Sequence, residues 1–214
     1  MRFHKEHLRV GQIAPDFNGI TKDGEPLDFH HWTYGSWGFL FSFSSRRTPV
    51  CATEVANIEA QIGAFRKRNV RPIGVAIETP EEPEHGCKHI HSFFDDLHFP
   101  LVVDRDREIA AAYEMLHHET MLTLTHRRTV ITDPNRVVRA ILDYPFEVGR
   151  SVDELLRVID GLQTADRHGV VIPADWAKGE RVLLPSGYTD AEAERLHPGR
   201  WKKLGECFRV LEIE

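Results

Sequence analysis

The apolar run Trp-Gly-Phe-Leu-Phe-Ser-Phe at residues 37–43 constrains the fold more than any other feature of the chain. A run of this length, rich in aromatic side chains, is typical of a β-strand that is buried on both faces. Apolar side chains then recur at helical spacing between residues 51 and 65, and basic residues 66–68 end the pattern. A buried strand that leads into an amphipathic helix predicts an α/β protein built in layers.

The rest of the main domain alternates between strand and helix in the same way. Residues 70–77 predict a strand, and residues 104–116 predict a helix with one apolar face. Residues 129–132 and 136–142 predict two further strands on either side of an Asp-Pro-Asn turn. A capping box at residues 151–154 begins the next helix.

Composition limits the possible partners of the chain. Its 214 residues are 41% hydrophobic and 28% charged, which suits one full domain and a smaller appendage. The net charge of −6 and the interspersion of charges of both signs along the chain argue against nucleic acid as a partner. No apolar run approaches the roughly 20 residues of a membrane span, so no membrane partner is expected. Three widely spaced cysteines argue against a disulfide framework, which favours a cytoplasmic location.

The composition of the sequence changes near residue 168, where prolines and glycines divide the chain into short segments. We therefore predict a main domain at residues 1–165 and a C-terminal extension at residues 166–214. An extension of this length is too short for an independent core. It is expected to pack on the main domain or on a partner subunit.

Cys51 occupies the chemically most informative position, because it opens the helix that follows the buried strand. Free backbone N–H groups and the helix dipole stabilise a thiolate at such a position and lower the pKa of the cysteine. Pro49 rigidifies the approach, and Thr48 either caps the helix or holds a substrate oxygen beside the sulfur. Position alone leaves two interpretations of Cys51, a small buried hydrophobic residue or a nucleophile.

Several segments of the chain carry recognisable motifs. Residues 48–54, TPVCATE, resemble the TPVCTTE active-site motif of the peroxiredoxin family, and residues 11–17, GQIAPDF, resemble its GxxAPDF opening. Residues 125–127 match the segment that carries the family's active-site arginine, and residues 144–150, YPFEVGR, resemble its YPxxxGR motif. Residues 172–176, IPADW, resemble the TPxDW motif that begins the long extension of the 1-Cys subgroup. The resemblance implies a thioredoxin-like fold with a small C-terminal extension domain.

The resemblance also implies a thiol-dependent peroxidase that reduces hydrogen peroxide and organic hydroperoxides. In that interpretation Cys51 attacks the peroxide and becomes a sulfenic acid, Thr48 orients the peroxide, and Arg127 stabilises the negative charge. Glu54 and Arg150 then surround Arg127, with Pro49 shaping the same loop. Without the family, the residue types alone favour an ordinary ion-pair network for Arg127, Glu54 and Arg150.

Cofactors and partners follow from the same resemblance. It implies no metal and no organic cofactor, an external thiol that reduces the sulfenic acid, and a homodimer or higher homo-oligomer held partly by the extension. Cys207 lies near the end of the extension. It is either a small packing residue or a resolving cysteine that forms a disulfide with Cys51. The simple 1-Cys cycle needs no resolving cysteine.

Two departures from the family pattern leave an alternative open. Ser44 stands where the family's PxxxTxxC loop has proline, and Phe43 stands where the 1-Cys subgroup has histidine. These changes favour a degenerate peroxiredoxin-like protein that acts as a redox sensor or chaperone-like oligomer with weak peroxidase activity. Residues 85–91 and the pair at 117–118 contain histidines, but neither completes a metal-ligand signature, so polar helix faces are the favoured interpretation. The absence of a C-x-x-C motif argues against a dithiol–disulfide oxidoreductase.

Overall fold

The chain folds into two compact units, residues 1–152 and residues 153–214. The structure is a computed structural model that describes residues 7–43, 48–77, 94–116 and 125–213. The second unit begins earlier than the extension expected from sequence, because it includes the helix that starts at the junction. Across the described ranges, no helix combines the length and the apolar character needed to cross a bilayer.

The first unit is organised around a mixed five-stranded sheet. The strands described in this unit are β1 (Asn18–Ile20), β2 (Pro26–Asp28), β3 (Trp37–Phe43), β4 (Val70–Ala76), β5 (Leu101–Val103), β6 (Arg127–Thr132) and β7 (Val138–Tyr144), of which the last five form the sheet. The sheet has the order β5-β4-β3-β6-β7, with β3, β4 and β5 parallel and β6 and β7 antiparallel to their neighbours. Strands β1 and β2 form a separate antiparallel hairpin.

The central strand β3 is buried along all seven residues, as its apolar run predicts. On one face the ring of Phe39 packs against Phe65, with their centroids 5.0 Å apart. On the other face Leu40 belongs to a core cluster that includes Phe29 and Tyr113. Both faces of the sheet are therefore covered, which is why this strand does not alternate between apolar and polar residues.

The helices of the first unit differ from the prediction in two places. Those described are α1 (Phe29–Trp32), α2 (Pro49–Ala60), α3 (Ile62–Lys67) and α4 (Glu108–Ala112). The single helix predicted from residue 51 is divided at Gln61, which ends α2 and precedes α3 with φ −102° and ψ 11°. The apolar periodicity continues across this break, so the pattern alone does not reveal it.

The helix predicted over residues 104–116 is wrong in extent, because α4 contains only five residues. Arg107 and Glu114 adopt the left-handed conformation, with φ 60° and φ 53°, and so interrupt the helix on both sides. Asp104 turns its carboxylate back to accept a hydrogen bond from Ala110 N at 2.7 Å. Tertiary packing of the loop therefore outweighs the apolar periodicity of this segment.

The second unit combines two helices and a small sheet. Its elements are α5 (Val152–His168), β8 (Val182–Leu183), α6 (Asp190–Leu196), β9 (Trp201–Gly205) and β10 (Phe208–Leu211), with the sheet order β8-β10-β9. The buried side chains of Trp176, Val182 and Leu211 belong to one apolar cluster. This short unit therefore assembles a core, which its length alone argued against.

Candidate active site

Cys51 lies in the first turn of α2, where the sequence predicted a helix start. Thr48 is the N-cap residue, with its side-chain oxygen 3.4 Å from Cys51 N, and Pro49 begins the helix. Proline suits this position because the first helical residues have no N–H acceptor within the helix. The Cys51 side chain is completely buried. The first-turn position directs the positive end of the helix dipole towards a buried thiol.

Arg127, the first residue of β6, brings a cation to this thiol. Its Nη1 atom lies 3.5 Å from Cys51 Sγ and 2.7 Å from Glu54 Oε2. On the other side, Nε and Nη2 donate to the carbonyl oxygen of Phe146 at 2.9 and 2.8 Å. The Phe146 ring stacks over the guanidinium, with its centroid 5.3 Å from Cζ. These contacts fix the orientation of a side chain that is only 2% exposed.

Glu54 joins Arg127 to a second buried arginine. Its Oε2 atom also accepts from Arg150 Nη1 at 2.9 Å, and Oε1 accepts from Arg150 N at 2.8 Å. The Arg150 guanidinium further donates to Thr129 Oγ1 at 2.9 Å and to the Ser42 carbonyl at 2.5 Å. Burial lowers the pKa of Arg150 from its ordinary value, against the opposing effect of Glu54. Glu54 therefore lies between two buried guanidinium groups.

The charges of this cluster favour an ionised sulfur. Arg127 and Arg150 contribute two positive charges, and Glu54 balances one of them. The Cys51 thiolate balances the other, whereas a neutral thiol leaves a positive charge uncompensated in a buried site. Burial by itself disfavours a thiolate, but the adjacent guanidinium and the helix start act in the opposite direction. Chemically, an ionised sulfur in this arrangement can act as a nucleophile beside a guanidinium that is able to donate to an attacked oxygen.

Comparison with family models identifies the protein family to which a chain with this site belongs. Residues 10–141 match the AhpC/TSA family, and residues 161–196 match the C-terminal domain of 1-Cys peroxiredoxin. The chain belongs to the peroxiredoxin family. It is accordingly a thiol-dependent peroxidase, and the predicted thioredoxin-like fold is confirmed.

Individual peroxiredoxins resemble this chain over most of their length. It is 37% identical to a peroxiredoxin of Aquifex aeolicus over 203 residues, which cover 89% of this chain and 91% of that protein. It is 34% identical to Peroxiredoxin-6 of Rattus norvegicus over 200 residues, with 89% of each chain covered. A solved structure of a yeast mitochondrial 1-Cys peroxiredoxin superimposes with a TM-score of 0.84 at 31% identity, covering 96% of this chain and all of that one.

The structure brings together most of the site residues that the peroxiredoxin resemblance implied. Cys51, Arg127, Glu54 and Arg150 form one connected cluster. Thr48 and Pro49 occupy the turn that begins α2. Cys207 is exposed in the turn between β9 and β10 of the second unit. The roles that the resemblance assigns to these residues in the peroxidase reaction remain predictions.

Of the two departures from the family pattern, Phe43 lies within the described residues. Phe43 is buried at the end of β3, and its ring stacks on Phe94 with centroids 5.7 Å apart. This apolar packing accommodates phenylalanine in place of the subgroup's histidine. Ser44 lies outside the described residues, as do the histidines of residues 85–91 and 117–118. With the family established, the degenerate sensor or chaperone-like alternative is not favoured.

Two residues of the site were missed from the sequence. Ser42 contacts the strand segment that carries Arg127 through its hydroxyl and accepts from Arg150 through its carbonyl, and Phe146 holds Arg127 through its own carbonyl and its ring. A signal for Ser42 was present, since it is the polar side chain in an otherwise apolar buried run. Phe146 offered a weaker signal as a large apolar residue within the YPxxxGR-like segment.

Replacing Glu54 by glutamine is expected to lower the free energy of unfolding by about 3–5 kcal/mol. The change leaves two buried guanidinium groups without their shared carboxylate, which is the costly way to break a buried ion pair. Urea unfolding at neutral pH measures the loss. The control is Glu59→Gln on the same helix, whose pair with His98 is 25% and 60% exposed and is expected to contribute less than about 1 kcal/mol. Equal losses in the two variants would contradict the assignment of a buried charge network.

Proposed function

We propose that Cys51 is the peroxide-reacting thiol of a 1-Cys catalytic cycle that uses an external thiol as reductant. The observation that carries this proposal is the position of Arg127 Nη1, 3.5 Å from Cys51 Sγ, at the first turn of a helix. This contact supplies the positive charge that a thiolate nucleophile requires. Cys51 lies inside the TPVC sequence that first indicated it.

In the first step the Cys51 thiolate attacks the terminal oxygen of a hydroperoxide. An S–O bond forms and the O–O bond breaks, and the leaving hydroxide or alkoxide takes up a proton to become water or an alcohol. Arg127 donates hydrogen bonds to the oxygen on which negative charge develops. Thr48 accepts a hydrogen bond from Cys51 N, and its hydroxyl has a hydrogen to donate to the peroxide. We assign to Thr48 the orientation of the substrate.

In the second stage an external thiol attacks the sulfenic acid. Water leaves, a mixed disulfide forms, and a second thiol restores Cys51 while the reductant leaves as a disulfide. The yeast 1-Cys peroxiredoxin is described as resolved through glutathione and thioredoxin systems. This likeness supports a reductant of the same chemical class for this chain.

Trapping of the sulfenic acid tests the proposal directly. The reduced protein is treated with one equivalent of hydrogen peroxide, and then with a 1,3-diketone that labels sulfenic acids. We expect one label per chain at Cys51, and a rate of formation that stopped-flow fluorescence can follow. Absence of the label, or its appearance at Cys207 alone, would overturn the assignment of Cys51.

The exposed Cys207 is expected to take no part in the cycle. Because the 1-Cys cycle needs no second cysteine, peroxide-treated protein should run as an unlinked monomer on non-reducing denaturing gels. Cys207→Ser is the matched variant and should leave peroxide turnover unchanged. A peroxide-dependent covalent species that this variant loses would establish a two-cysteine cycle instead.

We also propose that the protein works as a homodimer or larger homo-oligomer. The support is that β7 lies at the edge of the sheet, with β6 as its neighbour among the strands the structure describes. The start of this edge is already covered, because Val138 exchanges hydrogen bonds with Gly11 and Gln12 at 2.8 Å, so a second copy would pair with the edge beyond that residue. Sedimentation of the reduced protein measures the mass.

The cytoplasmic location stays a prediction.

A further inference from the structure

Strand β6 is anchored to β3 in an irregular way at the point where it carries Arg127. The antiparallel pairing of the two strands runs from Gly38 opposite Thr132 to Phe41 opposite Thr129. The next residue of β3 is Ser42, whose hydroxyl replaces the regular ladder. The strand segment that positions the peroxidase arginine therefore begins where the β3–β6 ladder ends.

A three-residue turn centres on Arg127 at this point. Arg128 N donates to His126 O at 3.0 Å, which closes the turn across the arginine. The Ser42 hydroxyl bridges the same two groups, since it donates to His126 O at 2.5 Å and accepts from Arg128 N at 3.0 Å. A serine hydroxyl has one hydrogen to donate and lone pairs to accept, so one oxygen satisfies both flanks of Arg127.

The bridge lies beside two adjacent arginines, of which one reaches the sulfur. Arg127 contacts Cys51 and Glu54, whereas Arg128 pairs with Asp143 at 2.8 Å. Successive side chains of a strand point to opposite faces, so a slip of one residue would exchange the two arginines. The Ser42 hydroxyl binds the backbone on either side of Arg127 and so opposes that slip.

Given the proposed function, we propose that Ser42 is a positioning residue for the peroxidase reaction, acting through Arg127. Its hydroxyl holds the turn, and the turn holds the guanidinium at the sulfur. Phe146 O anchors the far end of the same side chain, so Ser42 is the anchor on the backbone side. Loss of the hydroxyl leaves His126 O and Arg128 N without this partner and frees the turn to shift.

The test is Ser42→Ala in a chain that also carries Cys87→Ser and Cys207→Ser, so that Cys51 is the thiol observed. We expect the pH midpoint of Cys51 alkylation to move upwards, because a displaced arginine stabilises the thiolate less. The rate constant with hydrogen peroxide should fall by about tenfold or more. A folded Ser42→Ala protein with an unchanged alkylation profile would overturn the inference.

The matched control is Ser36→Ala, just before β3. Ser36 is also buried, and its hydroxyl donates to Asn69 Oδ1 at 2.9 Å, so its loss removes a comparable hydrogen bond. It should leave the alkylation profile and the peroxide rate unchanged. Equal effects of the two serine variants would reduce Ser42 to a general structural role and contradict the proposal.

A double-mutant cycle tests whether Ser42 acts through the arginine. Ser42→Ala should have no further effect on the alkylation midpoint once Arg127→Ala is present, because the group that it positions is gone. The same shift in both backgrounds would overturn the proposal. Failure of the parent chain to form a sulfenic acid would instead defeat the proposed function, while the alkylation profile still reports on Ser42.

A measurement on the unaltered protein does not depend on the folding of any variant. The amide of Arg128 donates both to Ser42 and across the turn, so its hydrogen exchange should be as slow as that of the paired β6 amides. Rapid exchange at Arg128, with slow exchange at Val130, would show that the bridge does not hold and would overturn the inference.

Discussion

Cys51→Ser is expected to reduce peroxide turnover to less than about one thousandth of the unmodified rate. A serine hydroxyl remains protonated at neutral pH beside the same arginine, so the nucleophile is lost while the shape of the site is kept. Consumption of hydrogen peroxide with a thiol reductant in excess measures the effect. Full turnover by Cys51→Ser would refute the peroxidase mechanism as stated.

The other two cysteines provide the matched controls for this variant. Cys207 lies in an exposed turn of the second unit, and Cys87 lies outside the described residues. Cys207→Ser and Cys87→Ser should retain turnover, which separates the loss of the nucleophile from the loss of any thiol. A comparable loss in either control would require a second redox-active cysteine.

Arg127→Ala is expected to lower the rate constant for reaction with peroxide by about a hundred- to a thousandfold. The variant removes the donor that lies 3.5 Å from Cys51 Sγ. The pKa of Cys51 should rise because the adjacent positive charge is gone. The pH midpoint of alkylation should therefore move to higher pH, which iodoacetamide kinetics measure. An identical profile in Arg127→Ala would show that the arginine does not stabilise the thiolate.

Arg128→Ala is the matched control, because it removes the same type of charged side chain at the neighbouring position of β6. The side chain of Arg128 contacts Asp143 and Glu114 at 2.8 and 3.0 Å, and not the sulfur. Its removal should leave the alkylation midpoint in place. Arg127→Lys should fall between the two alanine variants, because lysine keeps the charge but loses the fork that contacts Glu54 and Phe146 together.

The local features of the fold could be predicted from the sequence. The run at residues 37–43 is a strand buried on both faces, and Cys51 lies in the first turn of a helix that Thr48 caps and Pro49 begins. Each of these features depends on neighbours within a few residues, through burial pattern, capping and the fixed φ of proline. These local features alone did not show whether Cys51 is a nucleophile or a packing residue.

The helix boundaries were less predictable. The break at Gln61 and the short α4 both occur within segments whose apolar side chains keep a helical spacing. At α4 the boundaries follow from the left-handed residues Arg107 and Glu114, and from the Asp104 carboxylate that holds Ala110 N. Such contacts belong to the packed loop, and periodicity does not report them.

By itself, the sequence determined a buried strand, a helix that starts at a cysteine, and an ordered set of motifs that resembles peroxiredoxins. The motif resemblance implied which charged residues surround that cysteine, but only the tertiary structure decided the contacts through which they reach it. The Ser42 hydroxyl is hydrogen-bonded to His126 and Arg128, which are 84 and 86 positions away in sequence. Arg127 contacts Cys51 at a separation of 76 positions. Capping and burial patterns depend on residues that are close in sequence, so they can be predicted directly from the order of residues along the chain. Contacts over such separations depend instead on the register of β3 with β6, which exists only once the sheet has formed.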